Sequence, residues 1–274
     1  AKLTPNFQAY AFTDKDGNVQ PCFSVACYEA NGNATLLSNL ENVAPTRGLS
    51  LTNQLAGARA NGEGWGLMTW QQRFYILALL LLVFQRTDLQ NACGYGNLRG
   101  SGSTFLKTYS TTAQCTYGFF GQYVNNAAVR TFGIENLWGN TASIPLGLVM
   151  KNGVCYVAKY GAWENYIPSD VTRLGWETCT LPTTNGGYWR TSQVVANTLL
   201  PLTVSSNANE GFCDQFYNNC TTSSTTQTYP SAGGSTGNSK EVGGPFRLSF
   251  ANNMTADKTD STIGSRLVYI EGNG

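Results

Sequence analysis

The stretch "FGIENLWGNTASIPLG", Phe132–Gly147, decides how this chain is read. Within it, Gly133–Asn140 holds one carboxylate, two amides, a tryptophan and two glycines. Such density marks either a cluster of reactive groups or a tight turn. The chain contains no histidine. That removes Ser-His-Asp and Cys-His nucleophile pairs, and with them His-ligated zinc, copper and iron. Glu135 as a general acid or base needs a second positioned group, and the neighbouring residues supply none. Gly and Asn tolerate positive φ, which a tight turn demands. The stretch therefore reads as a turn bent at Asn136, Gly139 and Asn140, with Trp138 in the core.

On its C-terminal side, "VMKNGVCYV" (Val149–Val157) is two apolar runs around Asn-Gly, the pattern of a hairpin. On its N-terminal side, Thr69 is a helix N-cap and Gly94 and Gly96 are stop signals. The apolar run Phe74–Phe84 between them is far shorter than the ~20 residues of a membrane span. It predicts a buried helix, apolar on nearly all faces. The first forty residues read as strand, turn at Asp14–Asn18, and strand through "PCFSVACYEA". After Gly96 the chain is short β-like runs such as "FRLSF" and "SRLVYIEG", separated by Gly/Ser/Thr/Asn loops. The longest of these, Cys220–Gly244, is of a length that is functional or mobile.

Lys and Arg number 17 against 16 Asp and Glu. A nucleic-acid binder carries a basic stripe to displace counterions, and none is present. Charged residues are only 12%, low against ~25% in ordinary domains. A polar, uncharged, loop-rich chain of this kind suits an extracellular or virion protein. The opening "AKLTPNFQAYAF" lacks the charged and apolar regions of a signal peptide, so synthesis in the host cytoplasm without one is expected. Eight cysteines form no CxxC pair, which argues against a zinc ribbon or thioredoxin-like site. They read either as small buried hydrophobes or as disulfides, with Cys213–Cys220 the first local pair and Cys22–Cys27 the next.

Five segments together resemble a phage and prophage family with a C-type-lectin-like fold of the formylglycine-generating-enzyme type. It is the type used by the variable proteins of diversity-generating retroelements. They are Trp65–Gly96, "GIENLWGN" at Gly133–Asn140, "GFCDQFYNN" at Gly211–Asn219, "AGGSTGNSKEVGGPFRLSF" at Ala232–Phe250, and "IGSRLVYI" at Ile263–Ile270. The resemblance implies an α+β domain with one long buried helix and short antiparallel strands over 65–274. Residues 1–64 are then an arm that docks it to a larger particle. It also implies that the middle and last strands lie close, so Glu135 and Arg266 are expected to form a buried bidentate pair. The chain departs from the family after Asn140, where "TASIPLG" replaces an aromatic stretch. It departs from the copper-dependent enzymes of the fold as well. Cys213 and Cys220 are too far apart in sequence for their motif and sit in the wrong segment. Iron-dependent sulfoxide synthases of the same fold need a histidine triad. No cofactor is expected. "TDKDGN" at Thr13–Asn18 resembles the start of a calcium loop but lacks its later Glu, and the sugar-binding signatures of calcium lectins are missing.

Binding is expected to fall on the aromatic and amide-rich segments 159–170, 185–192 and 214–220. Rigid aromatic anchors beside adaptable polar groups are paratope chemistry. The candidates are Trp163, Asn165, Tyr166, Tyr188, Trp189, Arg190, Asp214, Phe216 and Tyr217, with Glu135, Asn136, Trp138, Gly139 and Arg266 structural. The expected function is a non-enzymatic virion protein that binds a host surface glycan or protein from a tail fibre or baseplate tip. It would be assembled with other virion proteins or as a homo-oligomer, with no nucleic acid and no membrane insertion. Capsid decoration is the alternative, and a formylglycine-generating oxidase the third reading.

Overall fold

A computed structural model describes residues 10–13, 18–100, 104–109, 118–159 and 166–270. Helix α1 (Leu51–Arg59) starts at Ser50, whose side chain accepts from Asn53 N. Helix α2 (Trp70–Phe84) starts at Thr69 as its sequence signals. Thr69 Oγ1 accepts from Gln72 N at 3.3 Å and Gln72 Oε1 accepts from Thr69 N at 3.0 Å, a reciprocal capping box. It ends at Gln85, left-handed at φ 51°, earlier than Gly94. A short helix α3 (Gln90–Cys93) then runs up to Gly94, where φ is 107°.

The strands form small sheets. One orders β1 (Ser24–Val25), β17 (Leu267–Tyr269) and β4 (Trp65–Leu67). β2 (Asn31–Asn33) pairs β3 (Leu36–Ser38), and β5 (Arg130–Thr131) pairs β6 (Ile134–Glu135). A third sheet runs β10 (Glu177–Cys179), β9 (Val154–Val157), β8 (Leu148–Lys151). β8 and β9 are the hairpin anticipated around Asn152 and Gly153, both at positive φ. The largest sheet orders β12 (Thr198–Ser205), β11 (Thr184–Val195), β13 (Gln215–Asn218), β15 (Leu248–Phe250), β14 (Ser231–Ala232), β7 (Ala142–Ser143) and β16 (Ile263–Gly264). The fold is α+β, mostly sheet, with three α-helices among the described residues.

Three expectations need correction. The strands are neither all short nor all antiparallel: β11 and β12 form a long bulged hairpin, and β13–β15 and β16–β7 are parallel. Helix α2 is not apolar-buried all round. Its polar first turn, Gln71, Gln72 and Arg73, is buried, while Leu82 is 72% exposed and Val83 56%. The described part of 1–64 is not a separate arm. β1 pairs β17, and Leu37, Leu51 and Leu55 share one core with Leu67, Leu146 and Leu267. Those leucines cover apolar surface that would otherwise face water. The long 220–244 loop, expected to be functional or mobile, is held by a Met150–Thr228 bridge and by buried Tyr229, Ser235 and Thr236, which leaves the functional branch of that reading.

The departure "TASIPLG" is also part of the core. Ile144 and Leu146 are buried, and Trp70 N donates to Leu146 O at 2.8 Å. Aliphatic side chains fill the space here without aromatic rings. A second cluster, under α2 and the large sheet, holds Trp70, Trp138, Trp189, Phe216, Phe246 and Phe250. Residues 14–17 of the predicted first turn lie outside the described residues, and a Thr13–Val19 bridge flanks them.

Candidate functional site

The Gly133–Asn140 turn is the hub of the molecule. Asn136, Gly139 and Asn140 all have positive φ, at 53°, 74° and 61°. A Cβ on Gly139 would stand 2.7 Å from Asn97 N, so the close approach of the two segments needs a glycine. Trp138 is fully buried and donates from Nε1 to Gly94 O at 3.2 Å.

Two buried guanidinium groups hold the turn by its carbonyls. Arg266 donates from Nη2 to Glu135 O and, at 3.1 Å, to Asn136 O. Its Nη1 donates to Ala26 O at 2.8 Å and Cys27 O at 3.1 Å. Arg73 donates to Leu137 O at 2.9 Å and Pro245 O at 3.1 Å. Burial pushes Arg73 down to about 9 and lowers Arg266 too, with Glu29 and then Glu135 opposing that shift. The expected Glu135–Arg266 fork is thus corrected. Arg266 does anchor this turn, but it grips the peptide carbonyl of Glu135 and not its carboxylate. A guanidinium presents several fixed donors, and four inward carbonyls use them.

The carboxylate that serves the hub comes from Glu29, which is 4% exposed. It accepts from Asn136 Nδ2 at 3.1 Å, Thr141 N at 3.0 Å, Asn140 Nδ2 and Thr141 Oγ1. Burial raises its pKa, and the Thr141 hydrogen bond and the Arg266 charge pull it back. The void beside Glu29, Arg73 and Arg266 is about 10 Å³, at the lower limit for one water. The hub is therefore closed to ligands. A second buried carboxyl, Asp214, accepts from Gln90 Nε2 at 2.9 Å and Phe246 N at 2.6 Å. Burial pushes it up to about 7. A Cβ on Gly244 would lie 2.0 Å from Asp214 Oδ1, so that backbone approach also excludes a side chain.

Above Asp214 opens a cleft of about 190 Å³. Gln90 forms its floor, and Asp88, Asn91, Tyr95, Asn209 and Lys240 are among its walls. Lys240 Nζ stands 4.6 Å from the centroid of the Tyr95 ring, a cation–π distance. Gln90 Nε2 faces three acceptors: Asp214 Oδ1, Lys240 O and Gly243 O at 2.8–2.9 Å. That fixes its amide orientation. Its Oε1 is buried with no hydrogen-bond partner among the described residues. An aromatic ring, an ammonium, amides and carboxylates converge here.

The sequence-predicted binding residues do not assemble into one site. Trp189 is fully buried, against Phe212 and Phe246 at centroid distances of 4.9 and 5.7 Å. Phe216 is fully buried and Asp214 nearly so. These three are corrected to core residues, because segments read as loops are β11 and the approach to β13. Tyr188 pairs Gln215 in register, and Gln215 and Tyr217 alternate with buried Phe216 and Asn218. Tyr188 and Tyr217 thereby share the outer face of the large sheet. Arg190 is exposed and pairs with Glu210 at 3.3 Å. Tyr166 is half-buried against Trp176. Trp163 and Asn165 lie outside the described residues. Sequence reasoning missed Glu29, Tyr95 and Lys240 as key positions. Tyr95 lies between the stop signals Gly94 and Gly96 and Lys240 in the quoted segment Ala232–Phe250, but only the fold sets them face to face.

Among the described residues, no three His, Cys, Asp or Glu side chains are grouped to hold a metal ion. No helix there is long and apolar enough to cross a membrane. No protein-family model matches the chain, and no curated protein matches it.

Proposed function

We propose that this chain is a non-enzymatic virion protein of phage or prophage type. Its C-type-lectin-like domain, of the formylglycine-generating-enzyme type, binds a host-surface glycan or protein through the Tyr95–Lys240 cleft. The observation that carries the reading is that cleft: a half-buried ring beside an ammonium and a set of amide and carboxylate groups. Sugar hydroxyls and polar protein side chains are bound by such groups, with the ring packing against an apolar face. The family assignment is supported by the convergence of all five resembling segments. Arg73 of the first reaches the second and fourth, Gln90 reaches the third and fourth, and Arg266 of the last reaches the second. The β7–β16 pairing agrees with the implied closeness of middle and last strands.

A second reading, capsid decoration or another particle-building role, is favoured by exposed apolar side chains. Leu82, Val83, Val194 and Leu202 are each more than half exposed, and faces of this kind suit contacts with other virion proteins or further copies. A glycan array with whole-cell binding on candidate hosts separates the two. Recognition predicts a signal that Tyr95→Ala or Lys240→Ala lowers at least tenfold, about 1.4 kcal/mol. Absence of signal across all hosts and glycans favours decoration.

A further inference from the structure

Seven cysteines fall among the described residues and all are free thiols; the eighth, Cys115, lies outside them. The local pair singled out in the sequence does not meet. Cys213 and Cys220 flank β13, whose four extended residues alone span about 13 Å, against a Cα limit of ~7 Å for a disulfide. Cys22 and Cys27 flank β1 and are exposed. A different pair is set face to face. Cys155 on β9 and Cys179 on β10 are register partners across an antiparallel ladder. Residues directly opposite in such a ladder have Cα atoms about 4.5–5.5 Å apart and side chains on one face. That is inside the 4.4–6.8 Å window of disulfides.

We propose that Cys155 and Cys179 form a disulfide when the protein meets an oxidising small-molecule disulfide, closing residues 155–179 into a covalent loop. The two thiols differ as an attacking and a resolving thiol should. Cys179 is half-buried, and its neighbour's thiol favours its thiolate. Cys155 is fully buried, and burial raises its pKa. The Cys179 thiolate attacks one sulfur of oxidised glutathione, breaking that S–S bond and releasing one glutathione thiolate, which takes up a proton. Cys155 loses its proton to water and displaces the second glutathione from Cys179. Each exchange breaks one S–S bond and forms one, the first giving a Cys179–glutathione mixed disulfide, so in net one glutathione disulfide is lost and one Cys155–Cys179 disulfide gained. The cysteine pair is oxidised by two electrons and glutathione disulfide is reduced to two thiols. The closed loop carries Tyr166, one of the binding candidates, which packs against Trp176. A third thiol, Cys220, is near enough to act on Cys155 electrostatically and is the competing partner.

The test treats the full chain with oxidised glutathione, alkylates the remaining thiols and maps peptides without reduction. The expected product links the Cys155 and Cys179 peptides and raises the thermal midpoint by roughly 5–10 °C, reversed by dithiothreitol. Cys179→Ser, at a half-buried position, should fold and lose the shift on oxidation. A Cys155–Cys220 link, a glutathione adduct persisting on Cys179, or all thiols free after oxidation would each overturn the proposal.

Discussion

Replacing Glu29 by alanine tests the hub at the residue with the most partners. The side chain is 4% exposed and accepts from two amides, one hydroxyl and one backbone N–H. It is also the first-ranked charge holding up the buried Arg266 guanidinium. Alanine leaves those donors without an acceptor, at about 1–3 kcal/mol for each group that water cannot reach. It also removes the counter-charge that acts most strongly on a buried cation, a change that typically costs about 3–5 kcal/mol. Because water can enter the space vacated, these costs do not add in full, and a total of about 3–5 kcal/mol is expected. Urea denaturation at pH 7 reads it, with the m-value compared to detect any change in the unfolded state. A loss below about 1 kcal/mol for Glu29→Ala would refute the reasoning.

Stability should also fall as pH rises from about 4 to 7. Asp214 titrates near 7 in the fold against 3.8 ordinarily, so the native state binds the proton more tightly across that window. The full effect is about 4 kcal/mol, complete above pH 7; Glu29 shifts in the same direction. Urea midpoints at pH 5 and pH 8 check it, and Asp214→Asn should flatten the difference. Trp189→Ala should cost about 3–5 kcal/mol as a core truncation, while Arg190→Ala, one residue on, should change stability by less than about 1 kcal/mol because its ion pair is exposed. Thermal melts of the two variants separate core from surface at adjacent positions.

Local signals were legible where a few neighbouring residues decide the outcome. The Thr69 cap, the Asn152–Gly153 hairpin and the positive-φ turn at Asn136, Gly139 and Asn140 all rest on near neighbours. The segments that converge on the hub were legible as motifs, and the Arg266 anchor as a location. What Arg266 touches was not, because a carbonyl acceptor leaves no mark on residue type. Glu29 was invisible for a related reason: its partners Asn136, Asn140 and Thr141 lie more than a hundred residues away. Trp189 was misplaced because "NGGYWRTS" has loop composition yet runs as a strand between β12 and β13. Leu82 and Val83 were misplaced because apolar character does not say which helix face finds a partner, whereas Gln71, Gln72 and Arg73 are buried with polar contacts around them.

The account's central claim is that separated motifs fold into one buried polar hub whose role is structural. Native-state amide hydrogen exchange at Glu135, Asn136, Gly139, Asn140 and Thr141 tests it without any mutation. These amides donate to Cys27, Val129, Gly233 and Asn97 carbonyls and to the Glu29 carboxylate. The account predicts that all five exchange only through global unfolding, with opening free energies equal to that from denaturation. Exchange through a low-energy local opening confined to this turn would contradict it and would mark the turn as a moving part.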